Sequence, residues 1–167
     1  MADDSLVALA ARVGERCLAL DARIATVESC TGGLIGHVLT EIPGSSAYYL
    51  GGFVTYADDA KRGMVGVPAE VLEAHGAVSA QTAMAMAAGG RDRTGADVCV
   101  SVTGIAGPDG GSPAKPVGLT YVAVVDATGG EVRRFLWAGS RTENKRASAQ
   151  AALELVLERM AAIADPT

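Results

Sequence analysis

Ser29 stands where a short apolar run, Ile24 to Val27, breaks into Glu28, Ser29, Cys30, Thr31, Gly32 and Gly33. A serine at a strand-to-helix turn is exposed, so its hydroxyl is a candidate nucleophile, with the backbone N–H groups of Cys30, Thr31, Gly32 and Gly33 as candidate oxyanion donors. Serine alone is a weak nucleophile and needs a base. His37 falls inside the helical pattern that follows and His75, before Gly76, suits a helix C-terminus, which disfavours a Ser-His-Asp arrangement. Lys61 is the better base. A lysine desolvated in a cleft has its pKa lowered and can accept the serine proton, with Tyr56 as relay or orienting donor. Cys30 is an alternative nucleophile, because thiols at helix starts are activated; without a histidine partner it reads more simply as a small buried residue.

A second apolar run, Asp97 to Thr103, also halts at a hydroxyl followed by glycine and opens the loop Thr103 to Gly111, which carries Gly104 and Gly107. Ligands of α/β folds gather at strand ends, so Ser29–Gly33, Tyr56–Lys61 and Thr103–Gly111 are expected to share one cleft. An anion bound there could meet Lys115, Arg141 or Arg146. Each residue also has a plain structural reading. Ser29 can be a helix cap, Tyr56 a strand-end aromatic, Lys61 a solvated lysine and the arginines exposed helix charges.

The elements that must hold these residues follow from spacing. Leu6, Leu9, Ala10, Val13, Cys17 and Leu20 recur at three- and four-residue steps and predict a helix over Ser5–Leu20. Ile24–Glu28 is a short strand and Thr31–Glu41 a helix ended by Pro43 and Gly44. Tyr48–Tyr56 has strand composition, with Gly51 and Gly52 marking a bulge or a close backbone approach. A polar helix over Ala57–Gly63 and a short one after Pro68 precede a longer helix capped by Ser79 and ending near Gly95. Gly118–Asp126 and Glu131–Ala138 form a hairpin around Ala127–Gly130, and Ser140 with Glu143 has capping-box spacing ahead of a final helix that buries Leu153, Val156, Leu157 and Met160. The expected fold class is α/β, a single-domain three-layer α/β/α sandwich with a mixed sheet over residues 1–167.

Composition bounds the function classes. The chain is 49% hydrophobic but 4% aromatic, has 21 glycines and a formal charge of −5, and spreads its 14 basic residues along its length. That argues against a nucleic-acid surface, which needs clustered Lys and Arg. Cys17, Cys30 and Cys99 lie apart without a CxxC pair, so neither a zinc site nor a disulfide framework is indicated and a reducing cytoplasm fits. No targeting segment or membrane span is expected.

The segments TVESCTGGLIGHVLTEIPGSSAYYLGGFVTYADDAKRGMVGV and SVTGIAGPDGGSPAKPVGLTYVAV resemble the CinA C-terminal domain family, whose active members are nicotinamide-nucleotide amidases. The similarity runs from about Ser5 to Ile163. It implies hydrolysis of the carboxamide of nicotinamide mononucleotide to nicotinate mononucleotide and ammonia, in pyridine nucleotide recycling, without metal or cofactor. Carried over by position, Ser29 is similar to the family's nucleophile, Tyr56 and Lys61 to its tyrosine and lysine, and Thr103 and Gly104 to its glycine-rich loop. Two departures stand out. Asp109 occupies a position where many relatives have glycine, and the chain resembles the stand-alone form of a domain that others fuse to a larger one. The alternative reading is a non-catalytic nucleotide-binding module of a competence or damage-inducible system, or an amidase acting on another pyridine amide. A homodimer is expected, with the YYLGG segment and the alanine-rich helix as its candidate face.

Overall fold

A computed structural model of the chain describes residues 4–164. Its elements, in order, are α1 (Asp4–Leu20), β1 (Ile24–Glu28), α2 (Leu34–Thr40), a 3-10 turn (Ser45–Ala47), β2 (Tyr49–Val54), α3 (Asp58–Val65), α4 (Ala69–His75), α5 (Ala80–Thr94), β3 (Val98–Gly104), β4 (Leu119–Asp126), β5 (Gly129–Leu136) and α6 (Arg141–Ala164). The strands form one sheet in the order β2-β1-β3-β4-β5. β1 runs parallel to both β2 and β3, while β4 and β5 are antiparallel, so the sheet is mixed as expected.

Burial follows this topology. All five residues of β1 are buried, as a central parallel strand covered on both faces requires. β2, at an edge, alternates half-buried and exposed residues. One face of the sheet packs Val98, Val100, Val102, Val122 and Val124 against α1, α2 and α6. The other packs Ala25, Val27, Cys99 and Ala123 beneath α5, with α3 and α4 beside it. The two faces make three layers. Small side chains set the helix-to-sheet distance, since a Cβ at Gly90 of α5 would lie 2.3 Å from Val27 Cγ2.

Local signals are met where their partners are close in the chain. Ser79 Oγ accepts the Thr82 amide at 3.1 Å and caps α5. Ser140 and Glu143 form a capping box, with the Ser140 amide on Glu143 Oε2 at 2.7 Å. Gly52 marks a close approach, because a Cβ there would meet Thr26 Oγ1 at 2.1 Å. The hairpin is tighter than expected: Asp126 pairs with Gly129, which leaves only Ala127 and Thr128 in the turn. α2 starts at Leu34 rather than Thr31, for a reason that belongs to the site.

Candidate active site

β1 and β3 lie side by side and parallel, and the chain leaves them in different directions, toward β2 and toward β4. A crevice therefore opens beyond their carboxyl ends. It measures about 260 Å³ and is lined by Ser29 and Cys30, by Tyr56 and Lys61, by Ala77 and Val78, by Thr103–Gly107 with Asp109 and Gly110, and by Arg141. The three stretches singled out after the strands all reach it.

At its floor Lys61, only 1% exposed, donates from Nζ to Ser29 Oγ at 3.2 Å. The same nitrogen donates to the carbonyls of Thr55 at 2.8 Å and Tyr56 at 3.3 Å. α3 delivers it there, since Lys61 is one of the two buried residues of an otherwise polar helix. Burial lowers its pKa, and the carboxylate of Asp58, 4.0 Å away and exposed, opposes that shift. The arrangement suits both protonation states. As an ammonium Lys61 has three N–H groups for three acceptors; as a neutral amine its two N–H groups can stay on the carbonyls, leaving the lone pair for the serine proton.

The turn after Ser29 is held from below. Glu28, 1% exposed, accepts the amides of Gly33 and Ile35 on Oε2, each at 3.1 Å, and that of Gly36 on Oε1 at 2.8 Å. Its carboxylate thus consumes the N–H groups that a free helix start would offer a ligand. Gly32 donates to the Ser29 carbonyl and Ser29 to the Val102 carbonyl. The amides of Cys30 and Thr31 have no partner among the described residues. Gly32 and Gly33, with φ of 61° and 99°, carry the chain through left-handed backbone, which delays α2 until Leu34.

α6 closes the far wall. Arg141 donates from Nη1 to the Gly107 carbonyl at 2.7 Å and from Nη2 to the Tyr56 hydroxyl at 3.1 Å. Asn144, one turn on, donates to the Ala106 carbonyl at 3.0 Å. Together they fix the loop after β3 against the Ser29 side of the crevice.

The CinA C-terminal domain model matches residues 6–160. The chain belongs to this family. It is 51% identical over 148 residues to a CinA-like protein of Salinibacter ruber, covering 89% of this chain and 36% of that protein. A CinA-like protein of Geobacter sulfurreducens is 48% identical over 137 residues, covering 82% and 33%. The chain spans about a third of the length of these relatives. Among solved structures, the competence/damage inducible protein CihA from Agrobacterium tumefaciens superposes with a TM-score of 0.92 at 45% identity, covering 95% of this chain and 97% of that one. A CinA superfamily protein from Klebsiella pneumoniae gives 0.90 at 32%, covering 93% and 98%.

The residues expected at the site divide once this CinA domain is seen in three dimensions. Ser29, Lys61, Cys30, Thr103, Gly104 and Gly107 line the crevice. Tyr56 lines it too, but its hydroxyl is bonded to Arg141 and its ring is 61% exposed, so only its carbonyl touches Lys61. That corrects the expectation of a tyrosine relay between lysine and serine. Gly32 and Gly33 are corrected as oxyanion donors, since their amides are occupied by Ser29 and Glu28. Thr31 has a free amide but does not line the crevice. Arg146 does not line it either; Arg141, five positions back, faces the crevice from a different side of α6. Lys115 donates to the His75 carbonyl at 2.5 Å and fastens the loop instead. Thr103 gives its hydroxyl to the Ala77 carbonyl at 2.7 Å, and Gly104 leaves room for Thr120 Oγ1, which a Cβ would meet at 2.6 Å. Cys30 is a poor nucleophile, because burial pushes its thiol up to about 11. Asp109 lies exposed in the crevice lining, so its side chain is at the site.

Sequence reasoning missed Glu28 and Asn144; the signal for Asn144 is its spacing, three residues from Arg141 on one face of the last helix. Neither histidine lines the crevice. Among the described residues no group of three or more His, Cys, Asp or Glu is placed to hold a metal, and no helix is long and apolar enough to cross a membrane.

Proposed function

We propose that this CinA domain hydrolyses the carboxamide of nicotinamide mononucleotide, giving nicotinate mononucleotide and ammonia, with Ser29 as nucleophile and Lys61 as general base. The observation that carries the reading is the buried Lys61 Nζ at 3.2 Å from Ser29 Oγ. In the neutral form Lys61 takes the Ser29 proton as Oγ bonds to the amide carbon. The resulting ammonium returns that proton to the leaving nitrogen, the C–N bond breaks and ammonia departs. A water then attacks the ester, again losing its proton to Lys61, and Ser29 is regenerated as the acid product leaves. The amide of Cys30, which lines the crevice next to Ser29, is the candidate donor for the oxyanion formed in both halves. No metal is invoked at any step.

Ammonia release from the mononucleotide, measured for the wild type, Ser29→Ala and Lys61→Ala, tests the assignment. Both variants are expected to be inactive, and full activity in either removes its residue from the mechanism. A substrate panel with free nicotinamide and other pyridine amides tests the substrate. A second reading, a nucleotide-binding module without turnover, is favoured by one feature: the shortest bond of Lys61 goes to the Thr55 carbonyl, a structural duty an inactive chain would also need. Binding of the mononucleotide without ammonia release would select it.

We read residues 1–167 as one domain working in the cytoplasm, a setting consistent with three free, buried cysteines. For the homodimer the edge strand β2 is the better face, since Leu50 and Val54 are exposed there while Ala83 and Ala87 of α5 are turned to the sheet. Light scattering reports the assembly directly.

A further inference from the structure

Lys145 is a cation left without an ion pair among the described residues. It is half-buried on α6, one turn beyond Arg141, yet among the described residues it has neither an ion pair nor a hydrogen bond. Its Nζ overhangs the Ser29 turn, 3.9 Å from the point where a Cβ on Gly32 would stand. It is close enough to Cys30 to pull that thiol down, as Lys61 also does, against the larger effect of burial. In the same turn the amides of Cys30 and Thr31 bond to no other described residue, and Thr31, 1% exposed, has a hydroxyl without a partner among the described residues. Arg141 is not an equivalent group, because two of its guanidinium nitrogens are already committed to Gly107 and Tyr56. Glu28 and Glu143 are committed elsewhere. Glu28 spends its carboxylate on three amides, and Glu143 turns back to cap α6 at Ser140.

We propose that Lys145, which stands outside the crevice lining and beside the Ser29 turn at Gly32, is a specificity-determining residue that binds the phosphate monoester of a substrate reaching out from Ser29. The assignment rests on the amidase reading for its choice of ligand, whereas the unpaired ammonium beside the turn is observed independently of it. An unpaired, half-desolvated ammonium beside a turn without competing carboxylates gains most from a small dianion, and a phosphate offers three acceptor oxygens to a donor with three N–H groups. Gly32 is held in left-handed backbone at φ 61°, which keeps the turn in the shape that brings it close to the ammonium. Lys145 acts on binding, whereas the proton transfers stay with Lys61.

The test is a binding comparison on the Ser29→Ala background, so that no turnover intervenes. Titration calorimetry with nicotinamide mononucleotide and with the corresponding riboside gives the advantage conferred by the phosphate, and inorganic phosphate as competitor shows whether the free anion alone occupies the site. In the parent that advantage is expected to be tenfold or greater. Lys145→Ala should bring it within about threefold of unity, and Lys145→Arg should restore most of it. An undiminished advantage in Lys145→Ala overturns the proposal, as does a parent that binds both ligands equally or neither. The amidase reading fails separately. Should the otherwise wild-type protein release no ammonia while the phosphate advantage still depends on Lys145, the anion site stands and the reaction assignment falls.

Discussion

Replacing Lys61 by arginine separates a proton acceptor from a positive charge. Arginine keeps a cation and N–H donors beside Ser29, but its guanidinium holds its proton at any workable pH and cannot serve as a base. Lys61→Met is the companion, filling a similar space with no N–H at all. General-base assistance accounts for about 10² to 10⁴ in rate, or about 2.7–5.4 kcal/mol of barrier at about 1.36 kcal/mol per tenfold. Both variants should lose activity on that scale. Folding should suffer less. Methionine strips a donor from the Thr55 and Tyr56 carbonyls, at about 1–3 kcal/mol each, but also removes an amine whose charged form burial disfavours. A net cost near 2 kcal/mol corresponds to a Tm lower by about 4–8 °C in a chain of this length. The pH profile supplies an independent check. Burial lowers the Lys61 pKa and the neutral amine is the working form, so kcat/KM should climb about tenfold per pH unit on the acid side and level off below about 10.4, where an ordinary lysine titrates. Stability carries a matching sign. Between the lowered pKa and about 10.4 the unfolded chain binds the proton that the native chain has released, so stability rises with pH across that window. Ammonia release followed from pH 5 to 10, with thermal unfolding on the same samples, measures both. A Lys61→Arg enzyme within threefold of wild type, or a wild-type profile flat over that range, would refute the general-base role.

Glu28→Gln retains one carbonyl oxygen for three amides, so at least one of Gly33, Ile35 and Gly36 loses its acceptor. Thermal unfolding should report a loss of about 1–3 kcal/mol, with kcat reduced beyond what the remaining folded fraction explains. Arg141→Ala releases both Tyr56 and the Gly107 carbonyl. At about 1.5–3 kcal/mol for a hydrogen bond to a charged group, steady-state kinetics should show KM for the mononucleotide raised about 10- to 100-fold, with kcat the less affected constant. Iodoacetamide at pH 7 should leave activity unaltered over an hour, since the Cys30 thiol is held near 11 and offers almost no thiolate; rapid inactivation would return Cys30 to the list of nucleophiles.

The layers of this fold were legible because their causes are local. The spacing of Leu6, Ala10, Val13 and Cys17, the cap at Ser79 and the box at Ser140 and Glu143 act within one or two turns, and each element formed near its expected place. Half of the site was legible for a different reason: strand ends collect, so Ser29, Lys61 and Thr103 had few places to go but one crevice. What escaped was the allocation of hydrogen bonds. Tyr56 has the residue type of a relay, yet its hydroxyl is taken by Arg141, 85 residues away, through a contact no local pattern announces.

Glu28 shows why that allocation matters most at the turn itself. Read as a pattern, the residue before Ser29 closes a strand, and the glycines after it open a helix whose free amides await a ligand. In the folded chain the same glutamate turns under the strand end and takes three of those amides, leaving only Cys30 and Thr31 unengaged. Of these two, only Cys30 lines the crevice, which narrows where this turn can hold an oxyanion. Glu28 also holds the Ser29 turn rigidly from beneath, where a ligand would otherwise have to order it. A buried carboxylate beside the nucleophile is thereby a positioning group rather than a second acid or base. The two lysines differ in their surroundings: Lys61, buried and held by two carbonyls, is suited to exchanging a proton, whereas Lys145, half-buried and without an ion pair among the described residues, is suited to holding a charge.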